Sequence, residues 1–122
     1  MATVLTSAGK AVWTNRLKGS GTEPVYVGWG TGAGTAAVAD TTLFTESAEA
    51  RVSGTSTQQT TTVTNDTYQV VGTLTASAGR TITNAGNFDA ATVGNLFVHG
   101  DFTGLVLNTG DAVQFTIKCQ LT

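Results

Sequence analysis

The stretch DAVQFTIKCQL, residues 111–121, decides the fold class. Val113, Phe115, Ile117, Cys119 and Leu121 alternate without a break with Ala112, Gln114, Thr116, Lys118 and Gln120. A side-chain period of two belongs to an extended strand with one dry face and one wet face. Working back along the chain, the turn residues Asn65-Asp66 lead into a second alternating run, residues 67–76. There Tyr68, Val70, Leu74 and Ala76 share one face, and Gln69, Val71, Thr73 and Thr75 the other. Shorter strands are predicted at residues 24–29 (PVYVGW), 81–84 and 95–101, separated by Gly, Asn and Asp.

Residues 56–64 form a Thr-rich run of high β-propensity and low hydrophobicity. With little apolar surface on either face, this run is either a solvated edge or hairpin arm, or a strand that pairs with another chain. Together these strands predict an all-β fold: a β-sandwich, with a jelly roll as a candidate arrangement. No repeat period emerges. A short N-terminal helix precedes the strands. Thr6 or Ser7 supplies its cap, and Gly19-Ser20-Gly21 ends it. Leu5, Ala8, Val12 and Arg16 fall on one helical stripe with Trp13 and Leu17 beside it, while Gly9 weakens the pattern. The expected organisation is a single domain, with residues 1–21 as a helical arm and residues 22–122 as the sandwich. Residues 28–34 are expected to be a flexible turn, and residues 40–51 to hold one irregular helical turn.

The chain of 122 residues has room for one core. Its charged share is 11%, well below the quarter or so usual in globular proteins, and Thr, Ser, Asn, Gln and Gly supply the polarity instead. Uncharged hydrogen-bonding surface can be buried against a partner without stripping water from ions, which suits life inside an assembly. Six bases stand against eight acids for a net charge of -2, and the bases form no stripe, so nucleic acid is not the expected partner. No apolar stretch approaches membrane-spanning length, and residues 1–10 carry neither the basic start nor the apolar run of a signal peptide. The single Cys119 leaves no internal disulfide, so folding in a cytoplasm is expected.

Several residues invite chemical readings. The glycines of residues 28–34 follow a strand but lack the βαβ surroundings of a dinucleotide fingerprint and the Lys-Ser/Thr ending of a phosphate loop, so they read as a loop. His99, the only histidine, shares a strand face with Asp101, yet no nucleophile elbow accompanies the pair. Cys119 lies on the apolar face, where a thiol is an inert hydrophobe, and one His with one Cys cannot build a zinc site. Asp40, Glu46 and Glu49 match no calcium-loop spacing, although Glu46 and Glu49 at i, i+3 could face each other as an acid–base pair. Asn65-Asp66-Thr67 fits a glycosylation acceptor and equally a tight turn. No catalytic, metal or cofactor site is therefore expected. Trp13, Tyr26 and Trp29 are the aromatic candidates for an interface or for the core.

Seven segments carry a family likeness in order along the chain: residues 5–19 (LTSAGKAVWTNRLKG), 27–32 (VGWGTG), 40–46 (DTTLFTE), 51–55 (RVSGT), 64–69 (TNDTYQ), 82–89 (ITNAGNFD) and 110–118 (GDAVQFTIK). In these the chain resembles small structural proteins of tailed-bacteriophage virions, and it departs from their pattern at Asn84, where an acid often stands, and at Asn87, where an apolar residue does. The resemblance implies a virion component with no catalytic residues, either a capsid cement (decoration) protein or a tail or fibre part. As a cement protein it would sit on the capsid surface as a homodimer or homotrimer, bridging major capsid protein subunits through many shallow contacts. As a fibre module it would bind a host glycan on an exposed aromatic platform, with Trp29 in its Gly-rich loop as the candidate. Trp13, Arg16, Trp29, Thr60 and Thr62 are the expected contact residues.

Overall fold

Strand β8 (Ala112–Gln120) is where the sequence places it, and it pairs antiparallel with β5 (Thr67–Thr75) over nine residues without a register shift. The computed structural model describes residues 2–122, so the first residue of the expected arm lies outside the described residues. With β4 (Thr55–Gln59), these strands form a three-stranded sheet in the order β4-β5-β8. A five-stranded sheet faces it in the order β1-β7-β6-β2-β3. Its strands are β1 (Thr3–Leu5), β2 (Tyr26–Gly30), β3 (Val52–Ser53), β6 (Arg80–Phe88) and β7 (Leu96–Leu107). The expected all-β sandwich is present, with its strands divided five and three rather than equally.

Between the sheets lie Val27, Trp29, Val70, Leu74, Ala76, Ile82 and Leu107, all buried. Val70, Leu74 and Ala76 are the dry face of the second alternating run, inside as their spacing requires. β6 and β7 extend beyond their expected bounds because Asn84, Gly86, Asn87 and Gly100 interrupt the apolar pattern while the pairing continues past them, with register shifts between Ile82 and Asn84 and between Asn87 and Phe88.

Helix α1 (Ser7–Leu17) packs on β7 beside the three-stranded sheet. Thr6 caps it, accepting from the Gly9 amide at 2.9 Å while its hydroxyl donates to the Leu96 carbonyl at 2.6 Å. Gly9 is buried, and a side chain there would run into the Phe97 carbonyl, so the residue that weakens the helix in sequence is what lets it approach β7. Val12 is buried against Phe97 and Val98, whereas Leu17, beside the stripe, is 78% exposed.

Residues 31–51 lie flat on the outer face of the five-stranded sheet. They contain no helical turn, contrary to expectation for residues 40–51. Side chains and sheet edges pin this backbone in irregular turns: Thr31 and Gly32 donate to Thr45 and Phe44 carbonyls, and Ser47 donates to Trp29. Gly30 and Gly86 make the floor, and a Cβ at Gly30 would collide with the Phe44 carbonyl. The glycines of residues 28–34 are thus a packing surface for a segment, not only a flexible turn.

The Thr-rich strand stops at Gln59, short of its expected end at residue 64. Asp66 closes the intervening loop by accepting from the amides of Thr61, Thr62 and Val63 at 2.8 to 3.0 Å. Those hydrogen bonds hold the Asp66 carboxyl far below its ordinary range. Asn65 takes a left-handed turn conformation there, at φ 61°. No helix among the described residues is long and apolar enough to cross a membrane.

Candidate functional site

A groove of about 430 Å³ opens between α1 and the three-stranded sheet. Its floor is apolar, made by Val12, Phe97, Tyr68 and Cys119. Burial pushes the Cys119 thiol up from its ordinary value, so it is the inert hydrophobe its position on the dry face implies. Trp13 and Arg16 rise from the helix on one wall, and Ser56, Thr57 and Gln58 of β4 stand opposite. Glu23 joins the rim and accepts from the Tyr68 hydroxyl at 2.9 Å. Burial, with the neighbouring Glu23 carboxylate, raises the Tyr68 phenol far above its usual range, so it is a permanent donor. Arg16 donates to the Gly21 carbonyl at 2.9 Å, which fixes the guanidinium at the mouth.

The expected contact residues separate. Trp13 and Arg16 meet in this groove, and the N-terminal helix and the Thr-rich strand become its two walls. Trp29 does not join them. It is 1% exposed in the sandwich core, edge-on to Phe115, with its indole N–H donating to Glu49 at 3.0 Å. The expected aromatic platform at Trp29 is therefore corrected: β2 carries the ring inward, and the Gly-rich segment does not present it. Thr60 and Thr62 are exposed but occupy the loop after β4, where Thr62 accepts from Gln120 and Thr60 from the Asn65 amide. Sequence reasoning passed over Tyr68, Glu23 and Gln58 as site residues. The alternation of residues 67–76 places Tyr68 inward, but nothing in the sequence shows that the helix leaves it partly uncovered.

The residues that suggested chemistry are spent on structure. Asp40, Glu46 and Glu49 point to three different partners. Asp40 accepts from His99 Nδ1 at 2.7 Å. Glu46 makes a two-bond pair with Arg51, whose guanidinium also stacks on Phe88 with 3.4 Å to the ring centroid. Glu49 accepts from Trp29, Ser47, Ser77 and Arg80. Burial alone would raise the Glu49 carboxyl, but the hydrogen bonds from Ser47 and Ser77 outweigh it and hold the group well below the usual range. Glu46 and Glu49 therefore do not form an acid–base pair. Among the described residues no group of three His, Cys, Asp or Glu converges as a metal site.

His99 is fully buried, and its Nε2 contacts the Asn84 carbonyl oxygen at 3.0 Å. Asn84 in turn clasps the backbone of Phe44, donating to its carbonyl and accepting from its amide, both at 3.0 Å. Asn87, the other departure from the family pattern, donates to the Pro24 carbonyl and accepts from the Val98 amide. Both asparagines are buried and satisfied, and among the described residues no buried side-chain polar atom lacks a partner.

The described residues thus form a two-sheet sandwich with an apolar groove walled by the helix and β4. A family model described as Podophage GP4 fiber I protein gp80 matches residues 8–121. The chain belongs to that family and is a structural protein of the phage virion. No curated protein and no solved structure matches it.

Proposed function

We propose that the chain is a fibre component of a podophage virion that acts by contact rather than catalysis, and that the groove beside Trp13 recognises a host-surface glycan. The family match over residues 8–121 carries the fibre assignment, and it favours the fibre over the capsid-surface location that the cement reading implies. The chemistry of the groove supports the ligand. Sugars offer apolar ring faces to aromatic side chains and hydroxyls to planar polar groups. Here Trp13 stands beside Arg16, Glu23 and Gln58 over an apolar floor, within the 300–1,000 Å³ or so usual for small-molecule sites. Contact with the major capsid protein belongs to the cement reading and has no such support.

Tryptophan fluorescence tests the ligand directly, because Trp29 is sealed in the core and only Trp13 lines the groove. Titration with purified surface polysaccharide of the host should change the emission saturably in the native chain and leave Trp13→Phe unchanged. Flat emission from the native chain would contradict glycan recognition here.

A further inference from the structure

β8 has the most regular core-like alternation in the sequence, yet none of its residues is buried. Its dry row, Val113, Phe115, Ile117 and Cys119, is only half covered. The reason is its place at the end of the three-stranded sheet, where β5 occupies one side and no strand among the described residues occupies the other. We infer that the free edge of β8 pairs antiparallel with β8 of a second copy of this chain, joining two three-stranded sheets into one of six strands. The inference rests on the edge itself, not on the fibre location or the glycan.

The hydrogen-bond phase of the edge fixes which groups are on offer. Leu121 donates to the Asp66 carbonyl and Ala76 to the Asp111 carbonyl, and both pairs belong to the register that joins β5 and β8. In an antiparallel ladder bonded and non-bonded pairs alternate, so the odd-numbered residues of β8 turn their backbone groups toward β5. Ala112, Gln114, Thr116, Lys118 and Gln120 therefore turn their N–H and C=O groups outward, along nine residues with no bulge and no proline. Natural edges of this length usually carry charges, bulges or proline against unwanted pairing. This one has a single charge, Lys118.

The edge is complementary to itself. Centred on Thr116, an antiparallel pairing engages every residue of β8 and sets outward-bonding residues opposite one another: Thr116 with Thr116, Gln114 with Lys118, Ala112 with Gln120. Dry residues then meet dry ones, Val113 opposite Cys119 and Phe115 opposite Ile117, because the shift preserves the face of each side chain. Lys118 meets an uncharged partner in this register, whereas centring on residue 118 would oppose two lysines. Beside the dry row, a slot of about 180 Å³ opens between β8 and the small residues Ala85, Gly86 and Gly100, so this flank is incompletely filled in one chain.

The test uses two variants of the full chain. Light scattering on the native chain should give twice the chain mass, falling to the chain mass on dilution. Thr116→Pro removes one outward N–H and spares the bonds to β5, as edge proline does, so it should be monomeric with an unchanged far-UV spectrum. Val113→Cys should link to native Cys119 of the second copy under mild oxidation, because non-bonded pairs bring Cα atoms to about 4.5 Å. A native chain that stays monomeric, a folded Thr116→Pro dimer, or a Val113→Cys chain that never cross-links would each overturn the inference. If Thr116→Pro does not fold, the cross-link decides.

Discussion

His99 shows how a residue that looks catalytic in sequence becomes a fastener in the fold. Its two ring nitrogens reach Asp40 and Asn84, and through them it holds residues 31–51 against the sheet. Replacing it with alanine removes one hydrogen bond from each partner, about 1.5–3 kcal/mol for the bond to the Asp40 carboxylate and about 1 kcal/mol for the neutral one, while Asn84 keeps the Phe44 amide and Asp40 the Ala37 amide. His99→Ala should therefore lose about 3 kcal/mol in urea denaturation, and proteolysis should enter residues 31–51 first. Alternation alone put His99 and Asp101 on one face, correctly, but Asp40 is 59 positions away and only the folded segment reveals it as the partner. Glu49 is a second such case. Its folded value lies below the ordinary 4.5, so its stabilisation is complete above that pH and drains away as the pH falls toward the folded value. Glu49→Gln should be less stable than the native chain at neutral pH by about 1–3 kcal/mol, from weaker bonds to a neutral acceptor. Below pH 4.5 its melting temperature should fall less steeply than the native one. Asp66 and Asp101 are depressed too, so some acid sensitivity stays in the variant.

Among the elements, legibility follows the source of the stabilisation. β5 and β8 were readable because their burial alternates along the chain. β6 was half readable, since it is buried on both faces from Asn84 to Phe88 and includes Asn84 and Asn87, whose amides serve segments that adjoin only in space. The segment at residues 31–51 was misjudged because its conformation comes from the sheet beneath it rather than from local propensity. Gly30 is the tightest point of that contact. Gly30→Ala should push the segment off the sheet and cost about 2 kcal/mol, the usual penalty for overpacking, with thermal unfolding as the measure. The helix was legible in its N-cap Thr6 and in Gly19, the left-handed residue after its C-cap Lys18, and less so in its docking face. Only Gly9 and Val12 are buried on it, too few to make a stripe.

For the whole molecule, low charge turns out to mean two things. Part of the charge present is paired within the chain: Glu49 and Arg80 meet at 3.1 Å, Glu46 and Arg51 at 2.7 Å, and Asp40 is tied to His99. The rest of the surface carries Thr, Ser and Gln, a few exposed apolar side chains such as Val106, 74% exposed, and scattered charges such as Lys10, Lys18 and Lys118. The resemblance read from seven short segments reached the virion, and the family match extends it to the fibre as the proposed place. That place was beyond the sequence because both locations ask for the same physical properties: a stable sandwich, uncharged contact surface and no chemistry. The most direct measurement is the copy number of this chain in purified virions, by quantitative mass spectrometry against the major capsid protein. A fibre component should be present in a handful to a few tens of copies per particle. A ratio near one, or a simple fraction of one, would contradict the fibre assignment and return the chain to the capsid lattice.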